Sequence, residues 1–154
     1  MLFRSVIRPG ELQRMSAGRG VTHSEYNHSK TKSAHLLQIW ILPEEKWLKP
    51  SYKQRSFADE VKDGTLRLVA APDGRSGSVT VHQKVELFVA RMRTGEEVTH
   101  RLKPGRHDWV QVARGEVALN NLAMKAGDGA AMRNEEKLAI EAKGEAEILL
   151  FDLA

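Results

Sequence analysis

The chain has 154 residues, with 24 Lys+Arg, 20 Asp+Glu and a formal net charge of +4, a length that suits one domain or a little more. Its 41% apolar and 29% charged content argues against general disorder, and no stretch approaches the roughly 20 apolar residues of a membrane span. Cysteine is absent, which excludes a disulfide scaffold and Cys-ligated zinc or iron–sulfur centres.

That composition is compatible with a reducing compartment, and Met1-Leu2-Phe3-Arg4-Ser5 lacks the apolar core of a secretory signal. A cytoplasmic protein without a membrane partner is therefore expected. Residues 1–60 hold 10 basic and 6 acidic side chains, against 14 of each in residues 61–154. The basic excess (Arg4, Arg8, Arg14, Arg19, Lys30, Lys32) lacks the aromatic interleaving and the motifs of a nucleic-acid surface. A solvated face is expected there, with no nucleic-acid partner.

Taken in chain order, the dominant period is two. Residues 6–42 suggest two or three strands, too few to bury a two-sided sheet. Within them Gly18-Arg19-Gly20 implies a sharp bend or close backbone approach. Leu36-Leu37-Gln38-Ile39-Trp40-Ile41-Leu42 reads as a strand buried on both faces and stopped by Pro43. It is too apolar to lie open as an edge and calls for a partner that the chain does not supply. Residues 44–64, with Pro50 and a run of charges, read as a connector.

Downstream, Val85–Met92 and Trp109–Val112 read as strands, the latter running on to Gly115. Val117, Leu119, Leu122 and Met124 alternate on either side of Asn120-Asn121, a pair that tolerates the positive φ of a tight hairpin. Gly127-Asp128-Gly129 reads as a turn before a short strand at Ala130–Met132. Residues 135–142 are good helix formers, yet Leu138, Ile140 and Ala142 alternate with Lys137, Ala139 and Glu141. Period outweighs propensity here and predicts a strand. Ile148–Phe151 closes the chain as a buried strand. Seven or more short strands over residues 65–154 predict an all-β sandwich or barrel.

The densest chemistry lies at Met15–Glu25. On a strand, His23 and Glu25 at i and i+2 would share one face. One imidazole and one carboxylate make half of a site for iron, nickel, manganese or zinc, and the carboxylate is a candidate general base. Spacing alone fits a surface polar pair equally well. His100, between Val98 and Leu102, lacks a His-x-His partner, so a structural or surface role is expected for it and for His107. His28 is expected to be solvated and His35 to cap a strand end, while His82 has no ligand set around it. Trp40, Trp47 and Trp109 could line a pocket for a flat aromatic substrate, but core packing is the expected use. No nucleophile elbow or Gly-rich phosphate loop is present.

Ser16-Ala17-Gly18-Arg19-Gly20-Val21-Thr22-His23-Ser24-Glu25-Tyr26-Asn27 closely resembles the hallmark segment of the pirin family. So do Leu37–Ile41, Pro43-Glu44-Glu45, Pro50-Ser51-Tyr52, Trp109-Val110-Gln111-Val112 with Gly115, and Leu149–Leu153. The resemblance covers nearly the whole chain from about residue 6. Pirins are bicupins, and the chain resembles the bacterial members with quercetin 2,3-dioxygenase activity. The resemblance implies a cupin-type β-barrel over residues 65–154, preceded by the last strands of a truncated N-terminal cupin over residues 6–43. It implies one metal in the N-terminal cupin, usually iron, with nickel, manganese, zinc or copper as alternatives, held by three His and one Glu. His23 and Glu25 match the last two ligands. The first two come from an upstream His-x-His, and no His precedes His23 here.

The resemblance further implies a flavonol substrate, with Glu25 accepting its hydroxyl proton, and a C-terminal cupin that is generally metal-free. Whether this chain is itself an enzyme stays open, since two His ligands are absent from it; little or no activity is expected of it alone. The alternative is a non-enzymatic, regulatory binding module. A homodimer paired through exposed N-terminal strands could also assemble a four-ligand site. Residues 1–5 do not resemble the family, and Leu2-Phe3-Arg4-Ser5 is what CTC-TTC-CGA-TCT would encode, a string resembling adapter DNA. They are read as a non-family leader.

Overall fold

A computed structural model describes residues 5–154; of the five residues expected to form a leader, 1–4 lie outside the described residues. The period-two segments become strands. They are β1 (Glu11–Ser16), β2 (Ser51–Ser56), β3 (Arg67–Ala71), β4 (Val79–Thr80), β5 (Val85–Met92), β6 (Glu97–Arg101) and β7 (His107–Arg114). The remainder are β8 (Glu116–Leu119), β9 (Leu122–Lys125), β10 (Gly129–Met132), β11 (Lys137–Ala142) and β12 (Ala146–Leu153). Residues 137–142 are a strand, as their alternation predicts: Leu138, Ile140 and Ala142 are buried, and the residues between them are not. Burial of one face decides against helix propensity.

From residue 65 onward the strands form two facing sheets. A 6-stranded sheet has the order β10-β7-β12-β5-β3-β4, and a 4-stranded sheet the order β6-β11-β8-β9. All pairings are antiparallel except β3 with β4. The space between the sheets is filled by Val98, Val110, Val112, Leu119, Leu138, Ile140, Ile148 and Leu150 among others. Each such fully buried aliphatic side chain contributes about 1.5–3 kcal/mol. The β8–β9 hairpin turns at Asn120 and Asn121, with φ of 45° and 70°. Asn120 also ties the hairpin to β11, accepting from Ala139 N at 2.8 Å and donating to Lys137 O at 3.2 Å.

The larger sheet is covered on its outer face too. β1 and β2 pair antiparallel, Glu11 opposite Ser56 and Ser16 opposite Ser51. Phe57 and Val61, just after β2, pack with Val69, Val79, Leu87 and Leu149 in a second apolar cluster joined by Leu12 and Ile41. β12 is therefore buried on both faces, as its continuous apolar run predicts. The stretch 44–64 is more than a connector: Ser-Tyr-Lys-Gln-Arg-Ser forms β2, paired through its backbone and not by an apolar pattern. Arg14 fastens this ribbon to the sandwich. It is half-buried and donates to Thr80 O at 3.1 Å, Ser16 Oγ at 2.9 Å and Ser51 Oγ at 2.5 Å. Burial lowers its pKa from the ordinary guanidinium value. It is thus not part of a solvated basic face.

The expected strand at 36–42 is corrected. Those residues have no regular structure, and Leu36, Leu37, Trp40 and Leu42 are exposed. A strand needs ladder partners, and among the described residues none pairs with this run. The segment is moored instead at its end, where Gln83 Nε2 donates to Leu42 O at 2.8 Å and Glu44 N donates to His82 O at 2.9 Å. The Gly18 bend is observed: Gly18 has a φ of 55°, and a Cβ there would fall 2.0 Å from Leu48 O.

Candidate functional site

Strand alternation carries three polar side chains into the apolar interior at one end of the sandwich. Along β12, Ala146, Ile148, Leu150 and Asp152 face inward; along β7, Asp108, Val110 and Val112 do; from β6, Val98 and His100 do. Asp108 and Asp152 are register partners on neighbouring strands. They are 1% and 0% exposed. His100, from the opposite sheet, brings its Nε2 to 3.7 Å from Asp108 Oδ2 and 3.6 Å from Asp152 Oδ2.

Around this trio stand charged groups in fixed order. Arg106 forms an ion pair with Asp152 through Nε and Oδ1, and its Nη2 donates to Asp152 O at 2.9 Å and Lys84 O at 3.0 Å. Lys103 Nζ lies 4.0 Å from Asp152 Oδ2 and 3.0 Å from Glu86 Oε1. Arg75 holds the other Glu86 oxygen at 2.6 Å. The Phe88 ring lies tilted against His100, with centroids 5.4 Å apart.

The two aspartates are electrostatically unlike. Burial pushes the Asp108 carboxyl up to about 6; His100 and Arg106 pull it down, while the like charge of Asp152 adds to the rise. Burial also works to raise Asp152, but His100, Arg106 and Lys103 together outweigh it and leave it below the ordinary carboxylate value. His100 Nε2, both Asp108 oxygens and Asp152 Oδ2 have no hydrogen-bond partner.

His23 and Glu25 lie elsewhere. Residues 21–27 are exposed and without regular structure, so the expected shared strand face is not formed. Among the described residues, the one set of three His, Asp or Glu ligand atoms that converges is His100, Asp108 and Asp152; His23 and Glu25 join no third ligand. His28, His35, His82 and His107 are exposed. His100 meets two buried carboxylates, partners that its sequence neighbours Val98 and Leu102 do not suggest. The phase of the pattern held the signal: Asp108 and Asp152 occupy inward positions of otherwise apolar strands.

The tryptophans are also corrected. Trp40, Trp47 and Trp109 are 87%, 77% and 38% exposed, so none is core. Trp40 and Trp109 border an open apolar groove of about 590 Å³ between the 37–42 segment and the outer sheet face, floored by Gln111, Leu149 and Phe151.

Two facing antiparallel sheets around an apolar interior that turns polar at one end define a cupin domain, and residues 68–153 match the family described as the quercetinase C-terminal cupin domain. Residues 3–41 match the pirin family. The chain belongs to the pirin family. It is 44% identical over 144 residues to quercetin 2,3-dioxygenase of Escherichia coli K12, covering 94% of this chain and 61% of that protein. The crystal structure of YhhW from Escherichia coli superposes with a TM-score of 0.86 at 43% identity, over 94% of this chain and 61% of that one. Bacterial pirin YhhW in complex with nickel(II) gives a TM-score of 0.85 at 44% identity, with the same coverage. The chain thus spans about three fifths of the length of these relatives. No helix among the described residues is long and apolar enough to cross a membrane.

Proposed function

We propose that this chain supplies the C-terminal cupin and half of the metal site of a pirin-type flavonol 2,3-dioxygenase. The observation that carries the reading is the 44% identity, over 94% of the chain, to a protein named quercetin 2,3-dioxygenase. A nickel(II) complex of a relative at 44% identity supports a divalent metal. His23 and Glu25 offer donors of the right chemistry, an imidazole and a carboxyl group; two donors from one chain are half of the set that the family resemblance implies. Bound there, a divalent metal would supply a Lewis acid and one-electron chemistry. Exposed in this chain, Glu25 would accept the hydroxyl proton of the flavonol. Dioxygen-dependent opening of the heterocyclic ring would follow. The proposed setting is the cytoplasm, with which the cysteine-free sequence is compatible.

Quercetin consumption by the purified chain and by a fusion carrying the upstream part of the Escherichia coli relative tests this. The chain alone is expected to be inactive or nearly so, and the fusion active. Glu25→Gln in the fusion should lower turnover by roughly 10²–10⁴-fold. Robust turnover by the chain alone would contradict the half-site reading. A dimer holding one metal per two chains would replace it with a site shared across an interface.

A further inference from the structure

We propose that the interior of the C-terminal cupin is a second divalent transition-metal site, with His100 Nε2, Asp108 and Asp152 Oδ2 as its protein ligands. It is separate from the His23 and Glu25 pair, does not depend on the dioxygenase reading, and departs from the metal-free C-terminal cupin that the family resemblance implies.

The first ground is an unmet electrostatic demand. Two carboxylates sit directly opposite each other on β7 and β12, almost completely out of water. Like charges opposed across a strand pair repel, and buried polar atoms are normally hydrogen-bonded. Here four such atoms are without a partner: His100 Nε2, both oxygens of Asp108, and Asp152 Oδ2. One ligand atom from each residue lies within 4.8 Å of the others, so they share one small volume. A cation in that volume would answer all three residues together.

Distance is the second ground. The imidazole nitrogen stands 3.7 and 3.6 Å from the two carboxylate oxygens, too far for a hydrogen bond. Donors held about 2.1 Å from one ion at tetrahedral angles lie roughly 3.4 Å apart. Both spacings from the imidazole suit ligands bridged by an ion better than groups bonding one another.

The surroundings prepare the ligands. Arg106 occupies Oδ1 of Asp152 and fixes that carboxylate, leaving Oδ2 toward the imidazole. Such outer partners orient ligands in metal sites. Lys103, at 4.0 Å from the same Oδ2, has a side chain that is 57% exposed and already bound to Glu86 at 3.0 Å. Glu86 in turn is paired with Arg75. Asp108 has no ion pair within the cluster except with His100. One imidazole and two carboxylates suit manganese, iron, cobalt, nickel or zinc better than the all-oxygen shells of magnesium and calcium.

Cobalt(II) is the probe. The chelator-stripped 154-residue chain is titrated by calorimetry and visible absorption, and its thermal unfolding is followed with and without excess cobalt(II). One ion per chain is expected, both in the wild type and in the His23→Ala/Glu25→Gln variant. Asp108→Asn should weaken binding at least about 100-fold and abolish the rise in Tm that cobalt(II) gives the wild type. Without metal, the same variant should melt no lower than the wild type, which establishes that it folds. His100→Gln, checked by circular dichroism, gives an independent reading of the same loss. No ion bound by the His23→Ala/Glu25→Gln variant, or binding unaltered by Asp108→Asn and His100→Gln, would overturn the proposal.

Discussion

Asp108 is where a single side chain works against the fold that holds it. Its carboxyl is raised from 3.8 to about 6 by burial. In metal-free protein the folded state therefore keeps a proton between about pH 4 and 6 that the unfolded state has released. Stability falls as pH rises through that window, and the penalty is constant above it. A shift of this size corresponds to on the order of 3 kcal/mol. Asp152 has the opposite sign: its carboxyl is lowered, so its contribution is present above its unfolded value and lost in acid. Denaturant melts in the presence of chelator should show Asp108→Asn matching the wild type near pH 4 and exceeding it at pH 7. Equal stability of the two proteins at pH 7 would mean that the buried carboxylate has found a partner. None of this is legible from residue type alone. His100 can be read as a lone histidine between apolar neighbours, and only the register of β7 on β12 sets two aspartates before it.

Among the elements, the β8–β9 hairpin is where sequence and structure agree most fully, and the reason is local. Asn120-Asn121 sits between alternating apolar residues, and its positive φ values are a property of two adjacent residues. Replacing Asn121 by Val places a β-branched side chain at φ 70°, which should destabilise the domain by about 1–2 kcal/mol, measured by urea unfolding. An unchanged midpoint would show that the turn relaxes freely. β11 was legible for a similar reason, since its alternation is written over six consecutive residues. The run at 36–42 was not: its composition says strand, but a strand is completed by partners, and those are not in its own residues. β2 is the converse, a polar segment made a strand by pairing with β1.

Over the whole molecule, two kinds of surface coexist. The sandwich from residue 65 onward buries its own core between its sheets. Residues 17–50, by contrast, hold the hallmark His23 and Glu25 and much of the exposed apolar surface, including Trp40 and Leu42. That excursion begins and ends at one place, because Ser16 and Ser51 are register partners at the end of the β1–β2 ribbon. The ribbon acts as a clasp that closes the excursion at its base. Joining Ser16 to Ser51 through an Asn-Gly turn would convert the clasp into an ordinary hairpin. The shortened protein should unfold in one cooperative transition and elute as a sharper, less self-associating species than the parent in size-exclusion chromatography. Loss of folding would assign to Ile41, the excursion's apolar contact with the outer sheet, a share of the barrel's stability. Retained folding would make the junction at Ser16 and Ser51 a splice point, where segments from other pirins can be exchanged above the same barrel.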